Sequence, residues 1–434
     1  MKKLVTITFT VALLFSLVGC GEKIKDVETE PLTAKINDES IKGNFTGTIE
    51  KNLPQGNGKI AVTGDLGEWT YEGAWESGAA VGEGKLAGRE IEFTFNDKIA
   101  KGIYNGEAAD GLPNGKGTVT VGSGTEQWSY DGNWEKGKCA GEGSVVNMPI
   151  KLEVCVETID AAYKGNVKSF LADGEGTVGY EKDDKYFKYE GGFSAGKMSG
   201  KGQIESNIYS VKFPEVTHQG IYKGDSLDGL ASGKGEFSAV TEEDVAYTYT
   251  GEWENGLFNG QGVQKFDDAN YYVRTGTFKD GVFSPTLSER FKSLGTYEGL
   301  AYTVSEPAVE FIEAHGELFP ANKLSEIEEY VDESISFKHL KKSPADYGSS
   351  LTHFSNYSVV QISEEEIWGE KYSVLILYSS DYKNVAYLYY PGELDVFDND
   401  IVEFYALPLG KSSYENTGGG TTICHMFLGS YITK

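Results

Sequence analysis

The sequence is short of the residues from which most catalytic and metal sites are built. It has four cysteines and five histidines among 434 residues. Beyond Cys20, the cysteines are Cys139, Cys155 and Cys424. This odd number, with no C-x-x-C pair, argues against a disulfide framework and against a zinc site. A single bridge between Cys139 and Cys155 is the alternative that the sequence leaves open.

Basic residues are also scarce. The chain has 39 Lys and Arg against 66 Asp and Glu, a formal net charge of -27. An acidic surface repels nucleic acid and anionic head groups, and it gains nothing from counterion release. We therefore expect no nucleic-acid partner.

Long apolar runs are missing after Val18. Lys2 and Lys3 precede an apolar stretch that is too short for a comfortable membrane span, which predicts a secretory signal peptide over residues 1–20. The ending Leu-Val-Gly-Cys20 resembles a bacterial lipobox. The resemblance implies cleavage before Cys20, acylation of its thiol and a lipid-anchored protein on the extracytoplasmic face of the cell membrane. The alternative is an ordinary signal peptide that contains a cysteine.

The segment that follows, residues 21–42, is polar and charged with one proline, Pro31. Such a composition is typical of a flexible tether between a membrane anchor and the first folded element.

Glycine, by contrast, is abundant, and it repeats. The second glycine of each G-x-G recurs at alternating shorter and longer gaps. Every other one of these glycines therefore occupies the same position in a longer repeat. These glycines are Gly58, Gly84, Gly117, Gly143, Gly176, Gly202, Gly235 and Gly262. Four repeats with this period, each with two hairpins, therefore fill the middle of the chain.

One hairpin shows the pattern. Tyr71, Gly73 and Trp75 alternate along a strand and share a face, Gly78 lies in the turn, and Gly84 returns on the same side. Glycine there leaves room for an aromatic ring to lie over bare backbone.

The aromatic residues of this hairpin series allow two interpretations: they either build the sheet or form an exposed groove that binds a glycan or a peptide. The candidate binding face consists of Tyr71, Trp75, Tyr130, Trp134, Tyr189, Phe193, Tyr249 and Trp253.

The pattern resembles the MORN repeat, roughly Y-x-G-x-W-x-x-G-x-x-x-G-x-G, over residues 43–287, with four double-hairpin repeats and a partial one. The resemblance implies an elongated antiparallel sheet of hairpins and a role in scaffolding and association. The longer gaps add β patterns at residues 90–95 and 150–156. The sequence leaves open whether these cover one face of the sheet or lengthen the ladder.

After residue 287 the pattern changes. Residues 288–350 form a helical linker region, with one helix predicted to start at Ser305-Glu-Pro307 and another predicted over residues 322–336. Five strands follow within 351–434, which predicts a small closed barrel. This segment resembles an OB-like barrel of lipoproteins and envelope proteins of Firmicutes, and for a chain with this charge that implies contact with oligosaccharide or protein.

No paired carboxylates, catalytic triad, metal-ligand set or cofactor motif stands out. Cys424 and His425 are adjacent in a predicted strand and so point to opposite faces. We predict a mainly β protein, without cofactor or metal, that is a non-catalytic, lipid-anchored scaffold. Its partners are the membrane, through the anchor, and an unknown envelope protein or cell-wall glycan. The alternatives are a cell-wall glycan-binding module and a divergent envelope hydrolase.

Overall fold

The structure is a computed structural model that describes residues 24–95, 98–268, 270–415 and 419–434. The predicted signal peptide and Cys20 lie outside the described residues. Within the described part of the chain, none of the helices is both long and apolar enough to cross a membrane. The fold is mainly β, as predicted: a long antiparallel sheet of hairpins is followed by a small domain with a closed five-stranded barrel.

The hairpin region contains nineteen strands among the described residues. They are β1 (Lys25–Ile36), β2 (Glu39–Glu50), β3 (Leu53–Gly64), β4 (Gly67–Glu76), β5 (Ala79–Phe95), β6 (Lys98–Ala109), β7 (Leu112–Val121), β8 (Trp128–Glu135), β9 (Lys138–Val154), β10 (Glu157–Lys168), β11 (Leu171–Lys182), β12 (Lys185–Ser194), β13 (Lys197–Lys212), β14 (Thr217–Leu227), β15 (Leu230–Val240), β16 (Ala246–Glu254), β17 (Leu257–Phe266), β18 (Arg274–Lys279) and β19 (Val282–Phe283).

The chain divides into two compact units. The first is the described part of Met1–Pro149 together with Tyr163–Gly174, and the second is Ile150–Ala162 with Glu175–Lys434. In the first unit, successive strands from β1 to β9 pair antiparallel. In the second unit, the strands from β12 to β19 do the same.

The register places glycine opposite glycine. In the first unit Gly47 faces Gly58, Gly58 faces Gly73, and Gly73 faces Gly84. The second unit repeats the arrangement from Gly224 through Gly235, Gly251 and Gly262 to Gly276. Each unit therefore carries a row of bare backbone that runs across its strands.

Strand β1 differs from the prediction of a flexible tether over residues 21–42. It runs from Lys25 to Ile36 and pairs with β2, with a bulge between Val27 and Glu30. Pro31 fits because β1 pairs only with β2 at this point and meets β5 only at Lys35, so a missing backbone donor costs little here. The inward side chains Ala34 and Ile36 are buried, which holds a mostly polar segment in place.

The extra β patterns lengthen existing strands. Strand β5 continues from the hairpin through residues 90–95 as one element, after a bulge between Ala87 and Arg89. Gly88 lies at that bulge with a φ of +76°, a conformation that glycine adopts at little cost. Strand β13 is interrupted in the same way between Ser206 and Tyr209.

The C-terminal edge of the sheet is closed by a helix. Helix α1 (Leu287–Leu294) lies beside β18, where Glu289 accepts hydrogen bonds from the Thr277 amide at 3.0 Å and from the Thr286 amide at 2.9 Å. The Ser293 hydroxyl contacts both the amide and the carbonyl of Thr275. These side chains satisfy edge groups that would otherwise be open to another strand.

Helix α2 (Glu306–Ala314) begins as predicted, with Ser305 as its cap and Pro307 in its first turn. Helix α3 spans Phe337–Lys342. The helix predicted over residues 322–336 is wrong: the chain forms two 3-10 turns there, Leu324–Glu326 and Glu328–Tyr330. The Asp332 carboxylate accepts from the Ser334 amide and hydroxyl, and such local bonds compete with a helix.

The five predicted strands of the barrel are confirmed. They are β20 (Thr352–Ile367), β21 (Glu370–Ser379), β22 (Val385–Pro391), β23 (Ile401–Glu415) and β24 (Thr421–Thr433). The barrel closes in the order β20-β21-β22-β24-β23, with β22 and β24 parallel. Its interior and the surrounding helices form two apolar clusters.

Candidate functional site

The repeated aromatic rings lie on the glycine row. A β-carbon added at Gly84 would come within 2.5 Å of the Tyr71 hydroxyl oxygen and 2.7 Å of its ring, and one added at Gly73 within 2.6 Å of the same oxygen. Each contact is shorter than real β-carbons tolerate, so only glycine fits beneath the ring. Six further rings cover glycine pairs in the same way: Phe45, Tyr104, Tyr130, Tyr189, Tyr222 and Tyr249.

The tryptophans connect neighbouring hairpins. The indole nitrogen of Trp75 donates a hydrogen bond to the carbonyl oxygen of Gly58 in the preceding hairpin, 3.0 Å away. Trp134 and Trp253 make the equivalent bonds to the glycine carbonyls at 117 and 235, at 3.0 and 3.2 Å. The Trp75 ring also meets the Tyr71 ring edge to face, with centroids 5.2 Å apart. These contacts fix the spacing between hairpins.

All eight residues of the predicted binding face are buried. Their exposed fractions are 4% or less: Tyr71, Trp75, Tyr130, Trp134, Tyr189, Phe193, Tyr249 and Trp253. The hypothesis that these rings form an exposed groove is therefore wrong, because their surface is already covered by glycine backbone and by each other. They build the sheet, which is the other interpretation of the pattern.

Most of the buried hydroxyls have a local partner. Tyr104 donates to the carbonyl of Glu107 at 2.7 Å, and Tyr130 donates to that of Asn133 at 3.3 Å. Burial raises the pKa of Tyr130 to about 12, so the ring stays neutral at physiological pH. Tyr71 is an exception among the described residues, because its buried hydroxyl has no hydrogen-bond partner.

The opposite face of the sheet is polar. Side chains next to the glycines in sequence point away from the rings, because side chains alternate along a strand. In the first unit they line an open groove of about 990 Å³, whose charged residues are Lys59, Glu72, Glu83, Lys85 and Glu107. In the second unit an equivalent groove of about 740 Å³ includes Lys223, Lys234, Glu236 and Glu252.

Sequence reasoning did not find this face, although its signal was present. Lys59, Glu72 and Lys85 each stand directly beside a repeated glycine. The pattern drew attention to the rings and glycines, and the residues between them looked like ordinary solvated strand positions. Only the register of neighbouring strands brings these charges together across the groove.

His353 of the C-terminal domain lies between two carboxylates. His353 has the Glu333 carboxylate 2.9 Å from Nδ1 and Glu403 2.5 Å from Nε2, and its ring stacks on Tyr405 with centroids 4.4 Å apart. Each ring nitrogen of His353 is therefore occupied by a carboxylate of this domain. Within the described residues, no group of three or more His, Cys, Asp and Glu side chains has the geometry to hold a metal ion.

The described cysteines are all free. Cys139 is half-buried, Cys155 is exposed and Cys424 is buried. Cys424 lies 3.9 Å from the Met426 sulfur, while the adjacent His425 packs edge to face against Phe337. Burial raises the pKa of Cys424 to about 12 and lowers that of His425 to about 4, which keeps both neutral.

Comparison with known proteins bears on the repeats. No curated protein matches the sequence. Four segments match the profile of the MORN repeat, at residues 71–89, 130–145, 189–207 and 249–271. Each segment begins at a tyrosine that covers a glycine pair. Each also includes the tryptophan or phenylalanine four residues later. The chain therefore contains MORN repeats, modules that indicate a repeat-based binding or scaffold role.

Proposed function

We propose that this chain is a lipid-anchored, extracytoplasmic and non-catalytic scaffold whose repeat sheet docks a protein partner of the cell envelope. The observation that carries the proposal is the difference between the two faces of the sheet. On one face the rings are buried against glycine backbone and hold the sheet together. The other face offers open, polar, mixed-charge grooves.

The groove of the first unit fits a partner that presents both charge signs. Lys59 lies opposite Glu72, and Glu72 lies opposite Lys85, so the sign changes from one strand to the next. A partner segment with the complementary alternation would gain favourable pairs, whereas a uniformly charged one would meet repulsion at every second strand. Rim charges of this kind act mainly on specificity and association rate.

The anchor belongs to the same proposal. An apolar segment that ends in a lipobox-like Leu-Val-Gly-Cys20 supports acylation at Cys20. A protein held at the membrane by lipid would present its docking face to envelope partners on the outer side. With a net charge of -27, the remainder of the chain gains no attraction from anionic lipid head groups, so attachment depends on the anchor.

A crosslinking capture experiment tests the docking face. The full-length protein is expressed in its host, crosslinked, and recovered with its partners. The double substitution Lys59→Glu with Lys85→Glu should abolish capture of a specific partner, because it replaces both lysines of the groove with glutamates. Lys51→Glu with Lys168→Glu is the matched control, since both lysines are exposed and lie outside the groove. Equal capture by both variants would rule out the groove as the docking face.

Detergent phase partitioning tests the anchor. The wild-type chain should enter the detergent phase and incorporate labelled fatty acid, whereas Cys20→Ser should do neither. Partitioning of the Cys20→Ser variant into the detergent phase would show that acylation at Cys20 is not what holds the protein at the membrane.

Incubation of purified protein with isolated cell walls tests the non-catalytic part of the proposal. We expect no release of reducing ends or free amino groups. Release that follows the protein through purification would support the competing hydrolase hypothesis.

A further inference from the structure

Two tryptophans in equivalent repeat positions have different surroundings. Trp69 and Trp128 occupy the same place in successive repeats, one at the start of β4 and the other at the start of β8. Trp128 is 5% exposed and packs against Phe93 and Phe170, each with ring centroids 6.3 Å away. Trp69 is only partly buried and lines an open cavity of about 810 Å³ in the first unit.

The cavity follows from two substitutions between repeats. One repeat earlier in the chain, the counterparts of Phe93 and Phe170, which pack against Trp128, are Ala34 and Gly111, and the counterpart of Met148 is Arg89. Two phenyl rings are thus replaced by a methyl group and a hydrogen atom, whereas Arg89 changes the polarity of its position without reducing its volume. Removing that much side-chain volume from a packed interior leaves space unless the backbone collapses into it. Here Gly111 and Arg89 border the cavity directly.

Arg89 is held in place over the indole. Its guanidinium carbon lies 4.9 Å from the centre of the Trp69 ring. The same group donates to the Glu39 carboxylate at 2.9 Å and to the Gly111 carbonyl at 3.2 Å, and its side chain is only 13% exposed. The guanidinium therefore fixes the orientation of the indole, and the rest of the Trp69 surface remains available to the cavity.

The remaining lining combines apolar residues, among them Ile41, Val62 and Ile91, with charged residues of both signs. The acidic residues are Glu39, Asp65, Glu90 and Glu92, and the basic ones are Lys42, Arg89, Lys136 and Lys138. A flat apolar platform beside a mixed rim of donors and acceptors fits a neutral, polyhydroxylated ligand, whose C–H faces pack on an indole and whose hydroxyls accept and donate hydrogen bonds. A polyanion would face four carboxylates and the negative charge of the whole chain, and a polycation would face four basic side chains.

We propose that this cavity is a binding site for a neutral oligosaccharide. Trp69 is its stacking platform, and Arg89 is the positioning residue that holds the indole in its orientation. The site shares no lining residue with the polar groove of the first unit. It goes beyond the proposed docking function, and either can fail without the other.

Titration of the full-length protein with neutral sugars tests the site. The probes are chitotetraose and cellotetraose, followed by calorimetry and by intrinsic fluorescence. We expect saturable binding of at least one of them and a ligand-dependent fluorescence change. Trp69→Phe should abolish that change, whereas Trp128→Phe should keep it, because Trp128 is buried away from solvent. Trp69→Ala should weaken binding about tenfold or more.

A milder variant keeps the test valid if Trp69→Ala perturbs the fold. Asp65→Asn, in the turn between β3 and β4, lies on the rim and is exposed, so it should fold normally and weaken binding several-fold. Circular dichroism verifies the fold of each variant. Absence of binding by both sugars at millimolar concentration, or binding that neither Trp69→Ala nor Asp65→Asn changes, would overturn the proposal. Saturable binding of a proline-rich peptide with no response to either sugar would overturn it in favour of a peptide site.

Discussion

The indole nitrogen of Trp75 lies 3.0 Å from the carbonyl oxygen of Gly58, so that one hairpin donates a hydrogen bond to the backbone of the hairpin before it. The bond uses a carbonyl in the glycine row, where no side chain obstructs the approach. Trp134 and Trp253 make the equivalent hydrogen bond, whereas the third repeat has Phe193 at the position of the tryptophan. A phenyl ring therefore fills this position naturally without the hydrogen bond.

Trp75→Phe separates the hydrogen bond from the packing. We expect a local stability loss of about 1 kcal/mol, the usual net contribution of one such bond, and a larger loss for Trp75→Ala, of about 3 to 5 kcal/mol. Amide hydrogen exchange of β3 and β4 measures this locally, without assuming that the whole chain unfolds in one step. Equal losses for the two variants would show that the hydrogen bond, and not the ring, holds the hairpins together.

Two tyrosines that both cover a glycine pair differ in their hydroxyl partner. Tyr71 has no partner for its buried hydroxyl, and Tyr104 donates to Glu107 at 2.7 Å. Tyr71→Phe should leave stability unchanged within about 0.5 kcal/mol or raise it, because it removes an unsatisfied buried group. Tyr104→Phe should cost about 1 kcal/mol. Urea unfolding of both variants, followed by circular dichroism, checks the difference, and identical midpoints would contradict it.

The glycine row should be intolerant of alanine. Gly84→Ala would place a β-carbon 2.5 Å from the Tyr71 hydroxyl oxygen, so the ring would have to leave its site. We expect a loss of about 2 kcal/mol or more, as for other forced changes in a packed core. Gly179 is the control, because a β-carbon there would have no neighbour within 4 Å. If thermal melting shows equal effects for Gly84→Ala and Gly179→Ala, the ring-on-glycine contact does not determine stability.

His425 should make the C-terminal domain sensitive to mild acid. Burial lowers its pKa to about 4 in the folded state, whereas in the unfolded chain it titrates near the ordinary value of about 6.5. Below about pH 6.5 the unfolded state therefore binds a proton that the folded state does not. Stability should fall between about pH 6.5 and 4, by up to about 3 kcal/mol. His425→Leu should remove this part of the pH dependence in urea titrations at several pH values, and an unaltered slope would refute the assignment.

Glu289 should protect the sheet edge from association. It accepts hydrogen bonds from Gln261 and Thr277 of the sheet and from Thr286 at the start of α1. Glu289→Ala should cost about 2 kcal/mol, since several bonds to one charged group are lost, and should expose β18. Light scattering on heating should show earlier aggregation than for Glu298→Ala, an exposed residue on the turn that follows. No difference between the two variants would contradict a protective role.

The parts of the fold that could be predicted from sequence are those in which local pattern and burial agree. The alternation of Tyr71, Gly73 and Trp75 predicted strands, and Ser305 with Pro307 predicted the start of a helix, because these residues dictate backbone conformation locally. Strand β1 was missed because its pairing depends on the free edge of β2 and not on its own composition.

The functional surfaces were harder to predict. Rings at regular spacing suggest a binding face, but their burial depends on how closely a glycine-lined backbone lets them approach. The Trp69 cavity depends on what is missing around it, namely the side chains that cover Trp128. That difference can be found in the sequence only by comparing repeats position by position, which requires knowing in advance which residues surround the tryptophan.

Tyr71 and the other rings of its kind rest on glycines of their own hairpin, and three tryptophans also donate to the glycine carbonyl of the hairpin before. The ring-on-glycine contact is therefore local to one hairpin, whereas Trp128 also depends on Phe93 and Phe170 from the flanking repeats. Gain or loss of one double-hairpin segment would keep these local contacts but would change which side chains cover a residue such as Trp128. Divergence in one copy, such as the one around Trp69, can therefore open a cavity while the ring-on-glycine contacts of the other copies stay intact.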